Sequence, residues 1–99
     1  MITCLVLAAT QAVASNLKTT QICIHVGNIV GIAAEGDKNG LGTRQTLDFT
    51  RKEIKSCDTE ACKAIYASAY HSIMMFSHLD KETANQLGYA RCKVDLSSL

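Results

Sequence analysis

The sequence predicts an all-α protein, a small four-helix up-down bundle stapled by two disulfides. Apolar residues recur at three- and four-residue spacing along most of the chain, and proline is absent. The helix breakers concentrate in one glycine-rich turn at 36–42, and five of the 99 residues are cysteine. Because a chain of this length forms one domain with a small core, we expect covalent crosslinks to support it.

The N-terminal segment, residues 1–14, has features of a signal peptide. Its sequence, MITCLVLAATQAVA, carries no charge, is apolar from Cys4 to Ala9 and ends in Ala-Val-Ala. Signal peptidase recognises small residues at positions −3 and −1, so we expect cleavage before Ser15 and a single mature helical domain at 15–99. The segment lacks a basic residue near its start, and the alternative is a buried first helix of a cytosolic protein. Cleavage predicts a periplasmic or secreted location.

The charge and hydropathy of the chain exclude two classes of partner. Ten Lys and Arg residues stand against nine Asp and Glu, a net charge of +1, and only 5% of residues are aromatic. Nucleic-acid binding needs a cationic face with stacking rings, so we expect no nucleic-acid partner. The apolar stretches at 1–14 and 22–34 are shorter than the ~20 residues that span a bilayer. We therefore expect no stable membrane anchor.

Helix one is predicted at 17–35, before the glycine-rich turn, although its β-branched residues would also suit a strand. Gly27 and Gly31 lie four apart on one face, which indicates close approach of a neighbouring helix. The inward positions follow helical spacing and are Ile22, Val26, Ile29, Val30 and Ala33.

The remaining helices are placed by their capping residues. Thr43 is the predicted N-cap of helix two, which ends near Ser56; Asp58 or Thr59 caps helix three, and Asp80 caps helix four. The inward positions are Leu47, Thr50 and Ile54 on helix two, Cys62, Ile65, Tyr66, Ala69, Ile73 and Phe76 on helix three, and Ala84, Leu87 and Cys92 on helix four.

Four cysteines lie in the predicted mature domain, an even number that implies two disulfides in a small exported chain. Cys57 and Cys62 are too far apart to bridge within one continuous helix, but a break between helices two and three brings them together. Cys23 and Cys92 are expected at the same end of the bundle. We favour the pairs Cys23–Cys92 and Cys57–Cys62. The alternatives are Cys23–Cys57 with Cys62–Cys92, and a four-thiolate zinc site.

No pattern predicts a catalytic residue, a cofactor site or a metal site. His71 and His78 are seven residues apart, whereas a helical chelating pair needs one turn, and His25 is expected to be a half-buried neighbour of the core. The serines lack the G-x-S-x-G context of a hydrolase. The turn at 40–42 lacks the Lys-Ser/Thr pair of a phosphate-binding loop. We therefore do not expect an enzyme.

A methionine pair on helix three predicts a surface for a protein partner. Ile73 and Phe76 face the core at helical period, so Met74 or Met75 must face outward. Beside Tyr70, the flexible methionine side chains would form a pliable binding surface. The alternative is that helix three is the central helix and is buried most of the way round.

Three segments, IAAEGDKNGLGTRQTLDF, ACKAIYASAY and LDKETANQLGYARC, resemble small exported cysteine-paired helical proteins of proteobacteria and their phages. The resemblance implies an exported helical domain and no particular activity. The segment SCDTEACKAIYASAY also resembles periplasmic antiholins of T-even phages, which carry a close cysteine pair before a helix and inhibit lysis by binding the holin. We predict an exported protein that acts by protein binding or as a structural module. The alternative is a phage-derived lysis regulator or a periplasmic toxin-immunity protein.

Overall fold

The computed structural model describes residues 2–38 and 42–97, with side chains described at 18–36 and 42–97. The described residues form four helices and no strand: α1 (Ile2–Lys38), α2 (Gly42–Ser56), α3 (Glu60–Phe76) and α4 (Lys81–Ser97). These helices pack into a compact bundle that is joined by two disulfides. The predicted fold class is therefore confirmed.

The longest helix, α1, organises the bundle. It packs against the other three helices and most extensively against α4, whereas α2 and α4 do not touch each other within the described residues. The helices α1 and α4 run antiparallel, because Lys93 donates a hydrogen bond to Thr20 near one end of the pair and Lys81 contacts Glu35 near the other. As a result, α1 and α3 form the middle of the bundle, and α2 and α4 lie on opposite sides.

The core lies along the inward face of α1. Four of the five predicted inward positions on α1 are buried in it, and the fifth, Ile22, is partly buried against it. The helices α3 and α4 add two buried residues each. The core consists of Cys23, Val26, Ile29, Val30, Ala33 and Ala34 on α1, Ala69 and Ile73 on α3, and Ala84 and Cys92 on α4.

Two of the predicted helix caps are confirmed. The Thr59 hydroxyl accepts a hydrogen bond from the backbone N–H of Cys62 at 3.1 Å, and an Asp80 carboxylate oxygen accepts one from Thr83 at 3.0 Å. Each bond satisfies an N–H that has no partner inside its helix. Both α3 and α4 therefore begin where the sequence places them.

Two predicted helix starts are wrong. The first helix begins at Ile2 and ends at Lys38, so it is longer than the predicted 17–35. The second begins at Gly42, and Thr43 lies inside its first turn. The Thr43 hydroxyl donates to the carbonyl oxygen of Ala33 at 3.2 Å, so it ties α2 to α1 instead of capping α2.

The expected close approach at the glycines of α1 is confirmed. A Cβ atom added at Gly27 would lie 2.7 Å from the carbonyl oxygen of Asn85, and one at Gly31 would lie 3.2 Å from the carbonyl oxygen of Lys81. Such distances are tighter than ordinary van der Waals contact. The missing side chains therefore allow α4 to pack directly on the backbone of α1.

Candidate functional site

Both disulfides have the favoured pairing. Cys23 and Cys92 join α1 to α4 with a Cα–Cα distance of 5.4 Å, and both residues are completely buried. Cys57 and Cys62 join the end of α2 to the first turn of α3 with a Cα–Cα distance of 5.5 Å. Because all four sulfur atoms are in disulfides, none is a thiolate ligand, and the swapped pairing is wrong. Disulfides form and persist in oxidising, non-cytoplasmic compartments.

The second half of α3 exposes His71 and two methionines but no Lys, Arg, Asp or Glu. Residues 64–79 include no Lys, Arg, Asp or Glu. Within this stretch Ile73 is fully buried, whereas the side chains of Met74 and Met75 are 60% and 48% exposed. The expectation that at least one methionine faces solvent is confirmed for both. The alternative also holds in part, because α3 packs against α1, α2 and α4 and, from Ala64 to Phe76, only His71 is exposed besides the two methionines.

Exposed apolar residues also occur on the side of α4 that borders the methionine pair. The Nη1 group of Arg91 donates a hydrogen bond to the sulfur of Met75 at 2.9 Å, so this side of α4 borders the methionine pair. Leu87 and Val94 flank Arg91 at four- and three-residue spacing, which places them on the same side of α4. Leu87 is 37% exposed and Val94 68% exposed. We call Met74, Met75, Leu87 and Val94 the methionine face.

The prediction that Leu87 belongs to the core is therefore wrong. Gly88, the next residue, is buried in its place and lies against Val30 of α1. Sequence reasoning missed Gly88 because a glycine contributes no apolar side chain to a periodic pattern. The signal was the run of small residues on the same stripe, Ala84 and Gly88, which indicates a close helix contact.

Tyr70 lies one helical turn before Met74 and is directed towards α2. Its hydroxyl accepts a hydrogen bond from Nη2 of Arg51 at 3.0 Å, and the Arg51 guanidinium carbon lies 5.6 Å from the ring centroid. The hydrogen bond to Tyr70 raises the pKa of the Arg51 guanidinium above its usual value. Tyr70 therefore forms one edge of the outer surface of α3, with the methionine pair beside it.

The three histidines do not come together. His71 on α3 and His78 in the following turn are exposed, and His25 is exposed on α1. The expectation that His25 is half-buried is wrong, because its neighbour Val26 alone turns towards the core at this point of the helix. Among the described residues, no three His, Cys, Asp or Glu side chains are placed to hold a metal ion.

A second apolar feature lies between α1 and α2. A shallow cavity of about 250 Å³ is lined by Ile29, Ile32, Gln45, Thr46 and Phe49. Ile32 and Phe49 are about half exposed there, and the ring of Phe49 packs edge-to-face on Tyr66 at 6.3 Å. The groove depends on how α2 crosses α1, which the sequence pattern does not contain.

Comparison with known proteins finds no relative of this chain. No protein-family model matches the chain, and neither the curated proteins nor the solved structures contain a significant match to it. Within residues 2–38 and 42–97, none of the helices combines the length and the apolar character that crossing a bilayer requires.

Proposed function

We propose that this protein is an exported, disulfide-stabilised binding module that acts by holding a protein partner on the methionine face. The observation that carries the proposal is the exposure of two adjacent methionines, Met74 and Met75, within a stretch, residues 64–79, that has no Lys, Arg, Asp or Glu. Contiguous exposed apolar surface is typical of interaction sites, whereas scattered single residues are not.

The chemistry of the methionine face suits a protein surface. Methionine has three rotatable bonds and a polarisable sulfur, so it adapts to an irregular apolar partner. Methionine and arginine are also enriched in interfaces, and Arg91 lies at the centre of the α4 part of this face with Asp95 as an ion-pair partner at 3.5 Å. A partner with an apolar helix or loop and few charges fits this arrangement.

Two observations favour export. The two disulfides need an oxidising compartment, and the segment before Ser15 ends in the Ala-Val-Ala pattern that signal peptidase recognises. Intact-mass measurement of the protein expressed from the full sequence tests this part. We expect a chain that begins at Ser15 and is four hydrogens lighter than its reduced form. A chain of full length with free thiols would contradict it.

Partner binding is tested by placing a photo-crosslinking residue at position 74 in the producing cell. The partner captured in this way is identified and purified on its own. Its affinity is then measured for the unchanged chain, for Met74→Lys and for Ile24→Lys. Ile24 is a matched control, because it is also apolar and half exposed but lies on α1. We expect Met74→Lys to weaken binding about tenfold or more, since it puts a charge into a desolvated contact. Equal affinities for the two variants would exclude the methionine face.

A lysis regulator is the second candidate function. The observation in its favour is the Cys57–Cys62 disulfide at the start of α3, which matches the close cysteine pair of the periplasmic antiholins that the segment at 56–70 resembles. Co-expression with a holin encoded beside this gene should then delay lysis of the cell. An unchanged lysis time in that experiment would remove this candidate and leave the general binding role intact.

A further inference from the structure

The two disulfides differ in their access to solvent. Cys23 and Cys92 are both 0% exposed, whereas Cys57 is 9% exposed and Cys62 is partly exposed. The residues around the second disulfide, 58–61, are all exposed. A dissolved thiol can therefore approach the Cys57–Cys62 bond from this side, and the first bond lies within the core. Access of this kind decides which disulfide exchanges with a thiol.

The turn around Cys57–Cys62 does not depend on the disulfide for its hydrogen bonds. The Cys57 N–H bonds to the carbonyl oxygen of Ile54, and the Cys62 N–H bonds to the Thr59 hydroxyl. The Lys63 N–H bonds to the Thr59 carbonyl at 3.1 Å. None of these three hydrogen bonds involves a sulfur atom, so each can persist when the sulfur–sulfur bond is broken.

Helix α2 is the least anchored part of the bundle. Thr50 is its only fully buried residue within the described chain, and the helix packs on α1 and α3 but not on α4. Its two side-chain links to α3 are the exposed Arg51–Tyr70 hydrogen bond and the ring contact of Phe49 with Tyr66. By contrast, α1 and α4 are crosslinked through the buried disulfide. Segments with few buried contacts open locally at a lower free-energy cost than the core does.

We propose that Cys57–Cys62 is a redox-sensitive latch, which a dithiol reductant opens selectively to release the C-terminal end of α2 while Cys23–Cys92 keeps the rest of the bundle folded. The proposal is independent of the partner-binding role. It gives the second disulfide a regulatory use that a purely structural crosslink would not have.

The chemistry of the latch balances with one dithiol molecule. A thiolate of the reductant attacks the more accessible Sγ, that of Cys62, and forms a mixed disulfide while the Cys57 sulfur leaves and takes up a proton. The second thiol of the reductant then attacks its own partner sulfur and releases Cys62 as a thiol. The protein gains two electrons and two protons, and the reductant becomes a disulfide.

The order of reduction tests the latch directly. The oxidised protein is treated with increasing dithiothreitol, free thiols are alkylated, and the modified cysteines are assigned by peptide mass. We expect Cys57 and Cys62 to become alkylated at least about tenfold faster than Cys23 and Cys92, because attack needs access to the sulfur. Simultaneous reduction of the two disulfides, or earlier reduction of Cys23–Cys92, overturns the proposal.

Release of α2 needs a second measurement. Amide hydrogen exchange is compared between the oxidised protein, the selectively reduced protein and the variant Cys57→Ala/Cys62→Ala, which mimics the open latch without a reductant. We expect exchange in α2 to accelerate about tenfold or more in both open forms, with α1 and α4 changed far less. Unchanged exchange in α2, or an equal increase in all four helices, shows that the bond is not a latch for this helix.

Discussion

Gly88 of α4 packs directly against Val30 in the core part of α1. A Cβ atom built on it would lie 2.8 Å from a γ-methyl carbon of Val30 and 3.0 Å from the Val30 Cβ. Both residues are buried in the middle of their helices, so neither has a simple way to move aside. The absent side chain of Gly88 is therefore what allows α4 to sit at this distance from α1.

Alanine at position 88 should destabilise the protein despite its higher helix propensity. Removal of a glycine from a helix interior gains about 1 kcal/mol, but overpacking of a core contact costs about 1–3 kcal/mol, so we expect a small net loss in the free energy of unfolding. Urea denaturation of the oxidised protein measures it. In a Val30→Ala background the γ-methyl contacts are gone and only the Cβ contact at 3.0 Å remains, so Gly88→Ala should cost less than it does in the unchanged protein. Additive effects of the two substitutions would contradict the proposed contact.

Single residues also show where sequence reasoning succeeds. Ile73 and Val30 were placed correctly because a large apolar side chain at helical spacing has few alternatives to burial. The predictions for Leu87 and His25 are wrong, since the neighbouring residues Gly88 and Val26 are the buried ones and this choice depends on the rotation of the whole helix. That rotation is set by contacts between helices, which a periodic pattern does not contain.

At the scale of the helices, the sequence predicts a helix start correctly where the capping interaction is local. Thr59 and Asp80 cap their helices through bonds to residues three positions later, so the whole interaction lies within one short segment. Thr43 has the same residue type and a similar context, but its hydroxyl bonds to Ala33, ten positions earlier. A tertiary contact of this kind competes with capping and is invisible in the local pattern.

Substitution of Thr59 tests the cap of α3. Thr59→Ala removes the acceptor for the Cys62 N–H and should lower the free energy of unfolding by about 1 kcal/mol. Thr59→Ser retains the hydroxyl and serves as the matched control, with stability close to that of the unchanged protein. Both variants are compared by thermal denaturation with the disulfides intact. Equal melting temperatures for the alanine and serine variants would show that the cap contributes nothing.

The two disulfides constrain the molecule as a whole to very different extents. Cys23–Cys92 joins residues 69 positions apart, and Cys57–Cys62 joins residues only 5 apart. A crosslink stabilises mainly by reducing the entropy of the unfolded chain, and this effect grows with the logarithm of the closed loop. The cysteine spacing alone therefore ranks the two bonds, although their pairing was one of several that the sequence allowed.

Removal of each bond separately should reproduce this ranking. We expect Cys23→Ala/Cys92→Ala to lower the free energy of unfolding by about 4 kcal/mol and Cys57→Ala/Cys62→Ala by about 2 kcal/mol, from the loop lengths. The cavity left by two buried sulfurs adds to the first loss, so burial and loop length act in the same direction. Urea denaturation under oxidising conditions measures both variants against the unchanged chain. A larger loss of stability for the variant without Cys57–Cys62 would mean that the α2–α3 crosslink stabilises the bundle more than the α1–α4 crosslink does. The latch proposed for Cys57–Cys62 would then be untenable as well.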